Sequence, residues 1–405
     1  MLVVKAGTLI AGTDAPPVPG ATVHIDRGVI TAIAGPNDLP AGAEVLDWSG
    51  QTVLPGLIDC HVHLVFSAGA NPLRDVLAED DRALLLRAAQ NARQALAAGI
   101  TTVRDLGGRG GVTLTLRDAI AAGLVPGPRV LAAGAPLTIT GGHCHFLGLE
   151  ADTAEEVRKA ARWQLKVGAD CLKLMATGGR MTPGTNVRQP QYGVEELRAA
   201  VAEARRAEKT IAAHAIGTPG IRNAVAAGVD TIEHCSWVGP QAGLEFDERV
   251  AAEMAERGIY VDATLSPLAS IATVDPSLLT AGQREHLQLR EEQLGYHRRA
   301  RALGVQFIAG TDAGVICTPF DRLADEIALL ASLVGLSPLE AIHAATGRAA
   351  RALGIAGEVG TIEVGRRADL IAVDGDPLRD LGALKRVRAV VQGGRLVARD
   401  GRVLA

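Results

Sequence analysis

Val53-Leu54-Pro55-Gly56-Leu57-Ile58-Asp59-Cys60-His61-Val62-His63 is an apolar run that ends on two histidines one residue apart. Side chains alternate along a strand, so both imidazoles leave the same face. Two neutral ring nitrogens converging at a strand's end make a bidentate seat for a transition metal such as zinc. Taken alone, the pair reads equally well as two solvated surface histidines. Later strands separate the two readings by supplying, or not supplying, further ligands.

Downstream the chain alternates. Short apolar segments at 101–103, 129–133, 171–175, 210–214, 231–234, 260–264 and 306–310 read as strands, which with the first makes eight. Amphipathic Ala-, Arg- and Glu-rich stretches such as 80–98, 153–167 and 193–207 lie between them and read as helices. Gly99, Gly168, Gly228 and Gly304 stand where C-terminal caps belong. Eight strand–helix units predict a (β/α)8 TIM barrel with its site at the C-terminal strand ends, and a doubly wound open sheet is the rival. Both chain ends differ from this middle. Strands are predicted at 8–10, 22–25 and 29–33, with Asp26-Arg27-Gly28 as a hairpin turn, and again at 369–373, 387–391 and 395–397. One small sheet domain assembled from both termini is therefore expected.

Composition narrows the function. The 405 residues are 48% hydrophobic, 21% charged and only 3% aromatic, with a formal net charge of −4. That is a globular protein whose core is filled by Ala, Leu, Val and Gly, and its charge points to neither nucleic acid nor a membrane surface. No apolar run approaches the roughly 18 residues of a spanning helix. The first residues lack the basic-then-apolar order of a signal peptide, so none is expected. Five scattered cysteines without C-x-x-C spacing argue against a disulfide framework and for a reducing cytoplasm.

In a barrel, His61, His63, Lys173, His214, His234 and Asp312 would all point to one mouth. Each has a dull alternative: a hydrogen-bonded core histidine, a turn aspartate, a lysine reaching a carboxylate. Lys173 interrupts an otherwise apolar strand, and a buried ammonium is costly unless paired or neutralised. A depressed pKa leaves a nucleophilic amine, which can take up carbon dioxide as a carbamate and so bridge two metals.

The segment Pro55-Gly56-Leu57-Ile58-Asp59-Cys60-His61-Val62-His63, followed in order by Lys173, His214, His234 and Asp312, resembles the amidohydrolase superfamily. The resemblance covers essentially the whole chain. It implies a metal-dependent (β/α)8 barrel over 55–357 and a β-sandwich built from 1–54 and 358–405. His61, His63 and Asp312 would hold the more buried of two divalent ions, expected to be zinc. His214 and His234 would hold the other, and carboxylated Lys173 with a hydroxide would join them. Segments 139–148, 173–179 and 181–185 look like the Xaa-Pro dipeptidase, metal-dependent carboxypeptidase and ochratoxin-amidase branch. In such relatives the histidine matching His143 reaches the substrate carbonyl, often helped by a tyrosine after the strand-six histidine. Here that stretch is His234-Cys235-Ser236-Trp237, without a tyrosine.

The chemistry implied is hydrolysis of the amide bond of a dipeptide, N-acyl amino acid or ochratoxin-like amide. Hydroxide between the metals would attack, with Asp312 as general base and then acid and His143 on the oxyanion. The alternative on the same scaffold is a cyclic amide, carbamate or urea, as in an imidazolonepropionase; a non-catalytic metal-binding relative is the third class. His143 and His145 are read as substrate-side groups because they follow Gly141-Gly142 in a loop. Arg188 and Trp237 complete the expected substrate contacts, and Arg180 shares with Arg188 the bidentate geometry for a carboxylate. Glu233 and Asp105 are candidate orienters of ligating imidazoles. His24, His286, His297 and His343 are assigned to structure or surface. A homo-oligomer acting on a small molecule is the expected state.

Overall fold

The computed structural model describes residues 1–404. Four strands open the chain: β1 (Leu2–Leu9), β2 (Val18–Asp26), β3 (Val29–Ala34) and β4 (Glu44–Pro55). Asp26 pairs with Val29 across the predicted hairpin, and its two loop residues, Arg27 and Gly28, both have positive φ (47° and 81°). That is the mirror-image turn whose twist suits a tight hairpin. Then come β5 (Leu57–Val62), β6 (Ile100–Asp105), β7 (Arg129–Ala132), the two-residue β8 (Leu137–Thr138) and β9 (Leu149–Glu150). These are followed by β10 (Cys171–Met175), β11 (Thr210–Gly217), β12 (Thr231–Val238), β13 (Tyr260–Asp262) and β14 (Phe307–Ile308). The chain ends with β15 (Leu370–Val373), β16 (Val387–Gln392), β17 (Arg395–Arg399) and β18 (Arg402–Val403).

One eight-stranded sheet, in the order β18-β17-β16-β15-β4-β1-β2-β3, is assembled from both ends of the chain. β4 and β15 meet antiparallel, Pro55 opposite Leu370, and Val4, Val23, Trp48 and Val391 pack in its core. The quoted apolar run is therefore two strands. Gly56 is the corner between them, because a Cβ there would lie 2.1 Å from Thr101 Oγ1.

All eight strands expected of the middle form, and each pairs parallel to its neighbour within β5-β6-β7 and within β10-β11-β12-β13-β14. Asp170 N–H donates to Ala132 O (2.9 Å), linking the start of β10 to β7. Beyond β14, Asp312 N–H donates to His61 O and His63 N–H to Ala313 O (both 2.8 Å), so hydrogen bonding returns to β5. The predicted helices run Asp81–Ala97, Ala154–Lys166 and Val194–Arg206. Thr153 and Glu156 close a reciprocal capping box on the second of these, satisfying N–H groups the helix cannot. Two predicted strands are shorter than expected. β13 stops at Asp262 because Thr264 takes φ 46°, and β14 spans only two residues before the turn carrying Asp312 (φ 54°). All five cysteines are free, and no helix among the described residues is long and apolar enough to cross a membrane.

Candidate metal centre and active site

The period-two argument for His61 and His63 is realised at the end of β5. Their Nε2 atoms lie 3.3 Å apart, and Asp312 Oδ1 is 3.4 Å from each. Three donor atoms in so small a triangle suit one cation, since an imidazole nitrogen and a carboxylate oxygen each ligate at about 2.0–2.2 Å. His214 and His234 extend the cluster, with ring centroids 4.7 Å apart and His234 5.5 Å from His61. Lys173 stands on β10, 1% exposed, and its Nζ has no hydrogen-bond partner. Four imidazoles, a carboxylate and an unpartnered buried amine line one cavity of about 350 Å³ together with His143.

Each ring is held from its far side. His61 Nδ1 faces Glu233 Oε2 at 3.1 Å, His63 Nδ1 faces Gly107 O at 3.2 Å, and His234 Nδ1 faces Thr264 Oγ1 at 2.6 Å. His214 turns Nε2 to Gly178 O (3.2 Å), and His143 turns Nδ1 to Thr182 Oγ1 (2.9 Å). Such partners fix tautomer and ring orientation and leave the other nitrogen for the cavity. Asp105 acts one step further out. It accepts from Leu64 N–H (2.8 Å) and Gly107 N–H (3.3 Å), pinning the carbonyl that holds His63. His234, Thr264 and Asp312 hold positive φ (68°, 46° and 54°), a backbone state costing about 1–3 kcal/mol per residue that survives only where its surroundings impose it.

Three expected substrate contacts lie elsewhere. His145 is exposed and outside the cavity lining. The segment is a series of turns, with His145 N–H bonded to Gly142 O and Leu147 N–H to Cys144 O, so strand alternation does not carry His145 to the face of His143. Arg188 spends its guanidinium on the carbonyls of Gly239, Gln241 and Gly243 and on Glu285, fastening the loop after β12. Trp237 is fully buried against Phe246, ring centroids 4.9 Å apart, and Ser236 faces the cavity in its stead. Alternation along β12 puts Ser236, two residues after His234, on the cavity side and Trp237, three after it, on the other. The lining also holds residues the sequence did not single out: Thr264, Gln283, Gln293 and His286, the last assigned above to structure or surface. They come from the excursion between β13 and β14: Thr264 caps helix Leu265–Ile271, and the other three lie on helix Ala281–Ala302. Nothing in a charged helical stretch marks which of its faces a cavity will meet.

The profile of the Amidohydrolase family matches residues 52–397. The chain belongs to that family. As an amidohydrolase it is a hydrolase of carbon–nitrogen bonds. Ochratoxinase of Aspergillus niger is 31% identical over 98% of this chain and 87% of its own length. A crystal structure of a Xaa-Pro dipeptidase with bound methionine in the active site superposes with TM-score 0.87 at 30% identity, covering 98% of this chain and 99% of the other. Imidazolonepropionase of Symbiobacterium thermophilum is 27% identical over 100% of this chain and 98% of its own length.

So many buried ionisable groups make the metal-free chain sensitive to pH. Burial depresses His61 to about 4, His143 to about 3 and His297 to about 4, and lowers His63, His214, His234, His286 and His343 as well. It pushes Asp59 and Asp105 up to about 6, Glu326 to about 7, Asp312 to about 8, and Asp262 well up. A depressed imidazole contributes stability that is lost as pH falls from about 6.5 toward 4, whereas a raised carboxyl contributes stability lost as pH rises through its folded value. In that window the eight imidazoles outnumber the five carboxyls, so the metal-free protein should lose stability on acidification. Urea unfolding at about pH 4.5 and about pH 6.5 checks this. A flat profile would mean the rings are charged or paired in the folded state.

Proposed function

We propose that this amidohydrolase cleaves the amide bond of a small substrate, a dipeptide, an N-acyl amino acid or an ochratoxin-like amide, with the help of two divalent ions. The observation carrying this reading is the triangle of His61, His63 and Asp312 beside the partnerless Lys173 amine. The proposed frame is a closed (β/α)8 barrel over 55–357 with a β-sandwich from 1–54 and 358–405. His61, His63 and Asp312 would hold one ion, and His214 and His234 the second. Lys173, carboxylated by carbon dioxide, would serve both, with zinc the expected metal given the imidazole-rich donor set. When bound, such ions supply hydroxide near neutral pH and polarise a carbonyl.

The chain's own groups do the rest. Asp312 opens partly to the cavity, with 13% of its side chain exposed, and is placed to take a proton and return it to the leaving amine. His143, its Nδ1 committed to Thr182, presents Nε2 where charge grows on the carbonyl oxygen. An enclosing lining of Met175, Leu265, Leu268 and Ile316 thins the water around both. Replacing His143 by alanine is expected to lower the rate by roughly 10²–10³ with metal content unchanged, as for loss of one oxyanion donor. A variant without its metals would instead make His143 a ligand.

The second reading, opening of a cyclic amide, is favoured by the imidazolonepropionase relative matched along the whole chain. Metal analysis combined with a screen of dipeptides, N-acyl amino acids and cyclic amides tests both. Zinc bound at both sites with no linear amide cleaved would move the assignment to the second reading.

A further inference from the structure

Away from the metal cluster the cavity lining divides by chemistry. Pro267, Leu268, Ile271, Val315 and Ile316 are apolar, while Gln283, His286, Gln293 and Arg180 are polar. The first three polar groups share helix Ala281–Ala302, where spacings of three and seven residues put them on one face. Gln293 is 3% exposed; its Nε2 donates to Ser236 Oγ (3.2 Å), while its Oε1 has no partner, and neither does Nε2 of His286.

Arg180 is the only cationic group in this lining besides Lys173. It is half-buried, and among the described residues it makes no hydrogen bond or ion pair. The nearby carboxylate of Glu285 is already engaged by Arg188. Burial lowers the guanidinium to about 10, the mark of a cation short of partners. Its backbone has little freedom to carry it elsewhere. A Cβ at Gly179 would lie 2.2 Å from His143 Cε1, one at Gly178 would lie 2.5 Å from Asn186 O, and Gly178 O receives His214 Nε2. Arg180 thus begins two residues, at most about 7 Å of chain, from a group touching the metal cluster.

We infer that Arg180, flanked by His286 and Gln293, forms a carboxylate subsite that receives the free carboxylate of an amino-acid leaving group. A guanidinium that no carboxylate answers, set in an enclosed and partly apolar lining, selects an anion, since an anion best repays the cost of keeping that charge from water. This rests on the amide-hydrolysis reading and narrows it to N-acyl amino acids or dipeptides with an unblocked carboxylate, at the expense of neutral carbamates and ureas.

The test uses the metal-loaded protein and two probe pairs that differ only in the carboxylate. Calorimetric binding of L-phenylalanine is compared with that of 2-phenylethylamine, and hydrolysis of N-acetyl-L-phenylalanine with that of N-acetyl-2-phenylethylamine. L-phenylalanine is expected to bind about 30-fold tighter or better, the lower end of what truncating one member of a buried charge pair costs. Arg180→Ala and Arg180→Met should bring that ratio close to one and Arg180→Lys should restore part of it, with the loss for N-acetyl-L-phenylalanine appearing in KM. Equal binding of the two amines by the parent protein overturns the subsite. So does a preference that survives in Arg180→Ala, since the carboxylate would then sit on the metals. A fall in kcat equal for both amides would assign Arg180 to the reacting centre and also overturn it. If neither amide is cleaved while the Arg180-dependent binding preference holds, amide hydrolysis falls and the subsite stands.

Discussion

Lys173→Met is expected to deprive the site of metal and of activity together while leaving the metal-free fold at least as stable as the parent. The argument starts from β10, whose five residues Cys171–Met175 are all buried. An ammonium in that setting has given up water without gaining a hydrogen bond. Burial lowers its pKa, and the pull of Glu233 and Asp312 only partly resists. A methionine of similar length keeps the packing and removes the charge, a kind of exchange that is often neutral or stabilising for buried ions. If instead the amine becomes an anionic carbamate serving two cations, its loss removes a ligand from both. Activity should then fall by more than the roughly 10–100-fold that an outer-shell partner costs. Elemental analysis of metal per chain, hydrolysis rates and chemical denaturation of the stripped protein read the three arms. Full metal occupancy in the variant would sink the carbamate, and a loss of several kcal/mol in the stripped protein would make Lys173 a structural cation.

What could be read from the sequence follows the reach of local periodicity. His61 and His63 share a face through the single intervening Val62, so the period of two reaches them although β5 ends at Val62 and its pairing with β6 is irregular from Asp59 onward. Lys173 stood out because a charge inside Cys171–Met175 has no local excuse. Alternation has no hold on His143 and His145, which lie among turn hydrogen bonds, and applied along β12 from His234 it turns Ser236, not Trp237, to the cavity. Between Arg180 and Arg188 the sequence offers no choice. Their roles divide only because a loop more than fifty residues later presents carbonyls to Arg188 and none to Arg180. The polar face of helix Ala281–Ala302 is likewise a tertiary fact, since its sequence is charged all round and only packing over the cavity selects Gln283, His286 and Gln293.

Arg104→Met should be among the strongly destabilising changes, costing about 3–5 kcal/mol, the usual penalty for removing one partner of a buried ion pair. Arg104 is fully buried on β6 and reaches two other strands at once. Its Nε donates to Cys60 O on β5 (2.7 Å), Nη1 to Thr231 Oγ1 (3.1 Å) and Nη2 to Glu233 Oε1 (3.0 Å) on β12. Burial alone would push Glu233 up, yet Arg104, His61 and Lys173 hold it well below the usual carboxylate range. It is this carboxylate that turns His61 toward Asp312. With the guanidinium gone, Glu233 sits in a dry interior beside Asp262 and takes up a proton. Its folded pKa then lies above its unfolded one, so the variant's deficit should grow as pH rises from about 5 to about 8. Adding Glu233→Gln removes the stranded charge and should recover at least about 1 kcal/mol, a non-additivity that a double-mutant cycle by urea denaturation would measure. Additive losses with no pH dependence would show that Arg104 and Glu233 stabilise the fold independently, and that His61 owes its orientation to something other than this pair.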